Sequence, residues 1–88
     1  MKHVTIDCTL LVDEKSVHDT FAQALDFPGY YGRTLDALYD MLTSCPELEL
    51  KLVNAQAVGK LFRYGDNLMM TLRDAEQANP LFTLVVED

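Results

Sequence analysis

Positive charge is what this chain of 88 residues has least of: seven lysines and arginines stand against 14 aspartates and glutamates, a net charge of −7. Phosphate backbones are gripped by clustered Lys and Arg, so the deficit argues against nucleic acid as a direct ligand. Cysteine is scarce too. Cys8 and Cys45 are the only two, too few for a disulfide framework, and without a secretory signal in the opening Met1–Asp7 they read as reduced thiols of a cytoplasmic protein. No apolar run approaches the ~20 residues of a membrane span, so no membrane partner is expected. Internal repeats, low-complexity stretches and linkers are also missing, which leaves one domain, residues 1–88, around one core. A chain of this size buries roughly two-thirds of its unfolded surface on folding. An apolar content of 49% supports an ordinary globular fold over disorder.

The acids that are present are unevenly placed. Between Ser16 and Leu50 there are six (Asp19, Asp26, Asp36, Asp40, Glu47 and Glu49) against one base, Arg33. Acidity can serve solubility alone, but a localised excess favours a cationic partner drawn in by long-range attraction. Inside this stretch, the run from Pro28 to Leu42 holds three of the four tyrosines and a spaced pair of aspartates. Such a patch suits the grip of something positive, whether protein, metal or substrate.

Periodicity places that run in a fold. His3–Asp7 alternates as a short strand, and Glu47–Val53 alternates as a second with one wet face. Leu81–Val86 is a nearly continuous apolar strand. Ser16–Phe27 carries Val17, Phe21, Ala24 and Leu25 at helical spacing, with Ser16 as N-cap and Pro28 as stop. Thr34 caps a helix from Leu35 to about Ser44, before Pro46. Asn54 caps a short helix through Val58 and Phe62 that ends near Gly65, and Asp66 caps another bearing Leu68, Met69, Leu72 and Ala75. Met69 and Met70 read as core filling. The order strand, two helices, strand, two helices, strand implies an α/β fold: two layers, a three-stranded parallel sheet, right-handed crossovers and about four helices. Strand order does not follow from the pattern.

On the Leu35–Ser44 helix, Leu35, Leu38 and Leu42 share one side and must face the core. Asp36, Asp40 and Thr43 share another, with Tyr39 on the border. Like charges at i and i+4 cost about 0.2–0.5 kcal/mol, and Asp36 recovers a similar amount from the helix N-terminus. Any solvated helix can show an acidic stripe opposite a leucine stripe, and the adjoining loop is what favours a binding role. Tyr30 and Tyr31 lie between two glycines, so one can turn inward while the other stays at the surface, where tyrosine suits interfaces.

This stretch closely resembles the barstar family, intracellular inhibitors of secreted bacterial ribonucleases. The family's Pro-x-Tyr-Tyr-Gly-x-x-Leu-Asp-Ala-Leu-x-Asp run is matched from Pro28 to Asp40. At lower similarity the resemblance extends over the whole chain, through Val17-His18 and Leu72-Arg73-Asp74-Ala75. It implies a barstar-like fold and a basic, barnase-like ribonuclease, or another cationic protein, as partner. By position, Asp40 resembles the carboxylate that takes the place of a substrate phosphate, and Asp36 a second acid contacting enzyme cations. Tyr30 matches the tyrosine that packs on the catalytic site, and Gly32 a close backbone approach. Tyr31, Thr34, Tyr39 and Thr43 fall on the same binding stretch, and Asp74 takes the place of a peripheral glutamate. Three features depart from the best-known member: Arg33 stands for an acid, Tyr39 for a tryptophan, and Ser44-Cys45 for a Gly-Trp pair.

Other chemistries find little support. His3, Cys8 and His18 show no metal-ligand spacing, and His18 reads as a packed histidine. Asp36 and Asp40 could serve acid–base chemistry or hold Mg²⁺, but no nucleophile, phosphate-binding loop or third acid accompanies them. Neither catalytic residues, a metal nor a cofactor is expected.

Overall fold

In the computed structural model, which describes residues 1–88, three parallel strands form a single sheet in the order β1 (Lys2–Asp7), β2 (Leu48–Val53), β3 (Phe82–Val86). The register pairs Val4 with Leu50 and Leu50 with Leu84, so the alternating apolar residues of all three strands fall on one face. Leu48, Leu50 and Leu52 are buried there between half-buried neighbours. The other face carries His3, Glu49 and Thr83, then Thr5, Lys51 and Val85. Its polar members reach one another: His3 Nδ1 lies 3.2 Å from Glu49, and Lys51 lies 3.2 Å from Glu87. This is the two-layer α/β architecture expected from the alternation, with the sheet strands in chain order.

Three α-helices, α1 (Glu14–Ala24), α2 (Leu35–Thr43) and α3 (Arg63–Ala78), and two 3₁₀ segments, Cys8–Leu10 and Ala55–Leu61, make up the helical part. Helix α1 packs over β1, α3 over β3, and α2 lies chiefly along α3. Their apolar stripes close a core that includes Phe21, Leu38, Leu42, Leu68, Leu72 and Phe82. Each such side chain contributes about 1.5–3 kcal/mol when removed from water. Asn79 is the buried polar link between layers. Its Nδ2 donates to the carbonyl of Leu42 at 2.9 Å, satisfying one of the free carbonyls at the end of α2, and its Oδ1 accepts from Leu81 N at 3.0 Å. On the strand β3, Leu84 N donates to Glu76 Oε2 of α3 at 2.6 Å.

Several element ends differ from expectation, each for a local reason. Helix α1 begins at Glu14 because Asp13 is its N-cap and Ser16 is the third residue of a capping box. Asp13 Oδ1 accepts from Ser16 N at 2.7 Å, while Ser16 Oγ accepts from Asp13 N at 3.0 Å. The helix stops before Pro28: Asp26 takes a left-handed conformation (φ 56°), and Phe27 N donates to the carbonyl of Ala22. Asn54 is also left-handed (φ 55°) and makes no side-chain cap. Its Nδ2 donates instead to Asp7 Oδ1 at 3.0 Å, tying the ends of β1 and β2 together.

Gly65 does not end a helix. It is buried inside the first turn of α3, where a Cβ would sit 2.5 Å from the carbonyl oxygen of Val58 and 2.8 Å from its Cγ1. Glycine is there so that the helix can press against the preceding 3₁₀ segment. Asp66 accordingly lies within the first turn and is not the cap, which falls at Phe62 without a side-chain bond. Met69 is half-buried against the core, whereas Met70 is 60% exposed and fills nothing.

Candidate functional site

The run from Pro28 to Thr43 folds as a loop leading into α2, and the start of that helix is well defined. Thr34 is extended (φ −130°), and its Oγ1 accepts from Ala37 N at 3.0 Å, the N-cap bond expected of threonine. Leu38 and Leu42 are fully buried and Leu35 half-buried, while Asp36 and Asp40 are exposed and Tyr39 lies at the boundary. The 3.6-residue period thus separates the leucines from the acids as the sequence suggests. At the far end, Thr43 Oγ1 donates to the carbonyl of Tyr39 at 2.9 Å, and Ser44 Oγ to that of Asp40 at 2.6 Å. These hydroxyls serve backbone carbonyls of the last turn and leave the Asp40 carboxylate untouched.

The two neighbouring tyrosines divide as the loop geometry requires. Tyr30 is 86% exposed and Tyr31 only 7%. Tyr31 is therefore part of the loop's interior, its ring largely withdrawn from solvent, in contrast to the exposed position expected of a contact residue. It packs against Phe27 with ring centres 4.7 Å apart. Its hydroxyl meets His18 Nδ1 at 2.7 Å, and the Tyr64 hydroxyl meets His18 Nε2 at 2.6 Å. His18 is the packed histidine expected from its place on α1, at 2% exposure. Burial, aided by the nearby Arg33 guanidinium, holds its pKa below the usual imidazole value. Burial next to Tyr64 pushes Tyr31 up to about 12, and burial also raises Tyr64.

Arg33 is the second place where position decides role. It sits in the left-handed region (φ 57°), whereas neither flanking Gly32 nor any other glycine has positive φ. Gly32 is tight for another reason: a Cβ there would lie 3.2 Å from that of Ala37. The Arg33 side chain is turned toward α1, where Nη2 donates to Asp19 Oδ1 and to the carbonyl of Lys15. Lys15 Nζ donates to the other Asp19 oxygen at 2.9 Å. Bonds from Lys15 first and Arg33 second hold the Asp19 carboxyl below its ordinary pKa. The cation that stands inside the acidic run is thus engaged with an acid of another helix.

The five ion pairs of the chain join Met1–Glu47, His3–Glu49, Lys15–Asp19, Arg33–Asp19 and Lys51–Glu87. Asp36, Asp40 and Asp74 take part in none of them. Asp74 is exposed on α3, the helix along which α2 packs. Asp36 borders an open groove with Glu14, Arg33, Thr34, Leu35 and Tyr64. A better-enclosed hollow of about 270 Å³ lies elsewhere, between Leu25, Phe27, Leu42 and Cys45, and contains neither aspartate. The carboxylates of α2 are thus exposed and free of ion pairs, and they lie outside the enclosed hollow. Sequence reasoning did not find Tyr64 or Asn79, nor that Asp19 is the partner of Arg33. Their roles depend on contacts 46, 37 and 14 residues away along the chain, for which no local pattern exists.

Comparison with known proteins bears on the whole chain. A family model described as "Barstar (barnase inhibitor)" matches residues 1–87. The chain is also 35% identical, over 91 residues, to a protein of Bacillus subtilis (strain 168) named "Putative ribonuclease inhibitor YrdF". The match covers 99% of this chain and 100% of that protein.

Proposed function

Because this chain belongs to the barstar family, we propose that it is a stoichiometric protein inhibitor of a basic, secreted-type bacterial ribonuclease and not an enzyme. Tyr30 and the outer face of α2 would cover the enzyme's active site. The observation that carries the reading is the exposed acidic stripe of Asp36 and Asp40, with no cation of its own chain on either carboxylate. A ribonuclease site is a cluster of Lys, Arg and His shaped to hold phosphate. A rigid helix that offers carboxylates satisfies that cluster and presents no bond to cleave. Asp40 supplies the phosphate-like group and forms charge-assisted hydrogen bonds once water is excluded. Asp36 adds to the field that draws the enzyme in.

Tyr30, already at the surface, contributes a broad rigid ring at small entropic cost. Gly32, Thr34, Tyr39, Thr43 and Asp74 complete the contact face in this reading, and Tyr31 supports it from below. In the cytoplasm such a protein would protect its own cell from the enzyme.

The test is a titration of ribonuclease activity for a barnase-type enzyme, with wild type and Asp40→Ala side by side. The expected result is an endpoint at one inhibitor per enzyme, weakened strongly by the substitution. Equal inhibition by Asp40→Ala would exclude the phosphate-mimic mechanism. Tight binding of a cationic protein without ribonuclease activity, and no inhibition of any ribonuclease, would favour an interaction module on the same fold.

A further inference from the structure

A hollow of about 270 Å³ lies beside the C-terminal ends of α1 and α2. Its walls come from both elements of the proposed contact face. Leu25 and Phe27 lead into the Tyr30 loop, and Leu42 and Cys45 stand on either side of Thr43 and Ser44. Phe27 ties the two together, because Tyr31 of the loop packs on it with ring centres 4.7 Å apart. We propose that this hollow receives a lysine or arginine side chain of the ribonuclease, its aliphatic stem among the apolar walls and its charge at the Asp26 rim. The proposal rests on the inhibitory reading and adds to it an anchor separate from Asp36 and Asp40.

Burial sorts the lining into a floor and a rim. Leu42 and Leu48 are buried, Leu25, Phe27 and Cys45 are half-buried, and Lys2, Asp26 and Glu47 are exposed. The floor is thus apolar and the rim charged. A long cationic side chain has the same division, an oily stem carrying a head that stays near water. Burial raises the pKa of the Cys45 thiol, so it stands in the wall as a neutral group. Size narrows the choice further. Small-molecule sites run to about 300–1,000 Å³, while a cavity of ~150 Å³ already admits benzene. A hollow between these limits suits one inserted side chain.

The sign of the occupant follows from what surrounds the opening. Leu25 is the C-cap of α1, Cys45 follows the C-cap of α2, and neither helix has a basic residue in its last turn. Both ends therefore offer a partial negative charge that no side chain of their own helix offsets. Asp26 adds a full charge and joins no ion pair. Its left-handed backbone (φ 56°) makes the turn out of α1 and sets the carboxylate at the rim. Glu47 is already shared with the Met1 amino group at 3.7 Å. Lys2 is the one opposing charge on the rim, and it is the group an incoming cation would have to displace toward solvent.

The experiment uses the whole chain and a barnase-type ribonuclease, comparing the inhibition constants of wild type, Asp26→Asn, Lys2→Gln and Cys45→Met. Asparagine tolerates a left-handed backbone, so Asp26→Asn keeps the turn and removes the charge. It should weaken inhibition about threefold, and Lys2→Gln should strengthen it by a similar factor, the scale on which exposed charges act. Cys45→Met fills the hollow and should weaken inhibition about tenfold, with the urea midpoint unchanged. A purely apolar occupant would respond to Cys45→Met and to neither charge. Unchanged inhibition at both Asp26 and Lys2, or changes of the same sign, overturns the inference. A second measurement needs no enzyme: hexylammonium, titrated into the free wild-type chain, should shift the amide resonances of Leu25, Phe27 and Cys45. Hexanol should shift them less, and equal shifts from both overturn the cationic preference. Failure of wild type to inhibit any ribonuclease overturns the inhibitory reading instead, and the hexylammonium titration still decides whether the hollow takes a cationic chain.

Discussion

Helices α1 and α2 both show carboxylates to solvent, yet the two acidic faces differ in kind. On α1, Asp19 is held by Lys15 and by Arg33 reaching across from the loop. On α2, Asp36 and Asp40 stand four residues apart with no cation of their own chain. The first arrangement is complete within the molecule. The second is left open, and in the proposed inhibitory reading a cationic partner would complete it. Charge count alone does not separate them, and Arg33 shows why. Placed by sequence in the acidic run, it is spent on the other helix.

The largest effect should come from removing what holds the α2 face in place. Leu42→Ala empties a fully buried site between α2 and the core, and should cost about 2–5 kcal/mol in urea unfolding. Next comes Asp40→Ala, which should weaken ribonuclease binding by about 2–3 kcal/mol, roughly 30–150-fold in Kd, with thermal stability unchanged. Asp19→Ala, measured beside it, should leave binding nearly as it was. Equal losses at the two acids would erase the distinction between the faces.

A middle-sized effect is expected at the cap of α2. Thr34→Ala removes the bond to Ala37 N and should lower stability by about 1 kcal/mol. The smallest concerns acid. The folded pKa of His18 lies below the unfolded value, so the unfolded state binds the extra proton more readily. This part of the stability is present in full above pH ~6.5 and is lost as pH falls from there through the folded pKa. The urea midpoint of wild type should decline over that window, and that of His18→Gln should decline less. Asp19 acts in a lower window, since its depressed pKa contributes stability above the ordinary carboxylate range and loses it below about pH 4.

Periodicity carried most of the architecture. The alternation of Glu47–Val53 gave β2 and its wet face, and the spacing of Leu35, Leu38 and Leu42 gave the inward side of α2. The Thr34 cap was legible because it is a bond between neighbours. Residues whose role depends on distant chain were harder. Gly65 reads as a terminator until Val58 is seen pressing on it. Ser16 reads as a cap because both members of a capping box are hydroxyl or carboxylate residues, and only the backbone tells which comes first. For Tyr30 and Tyr31 the sequence implied that one turns inward, but choosing Tyr31 requires His18 and Tyr64 to be in place. Strand order likewise depends on pairings dozens of residues apart.

One contact at the edge of the sheet bears on how the molecule behaves in a crowd. Strand β3 lies at the rim of the sheet, where a row of vacant backbone donors invites another chain to add on. Glu76 bends from α3 to take the Leu84 amide, between Phe82 and Val86 in an apolar strand. A single carboxylate thus works as a gatekeeper against sheet growth from one molecule to the next.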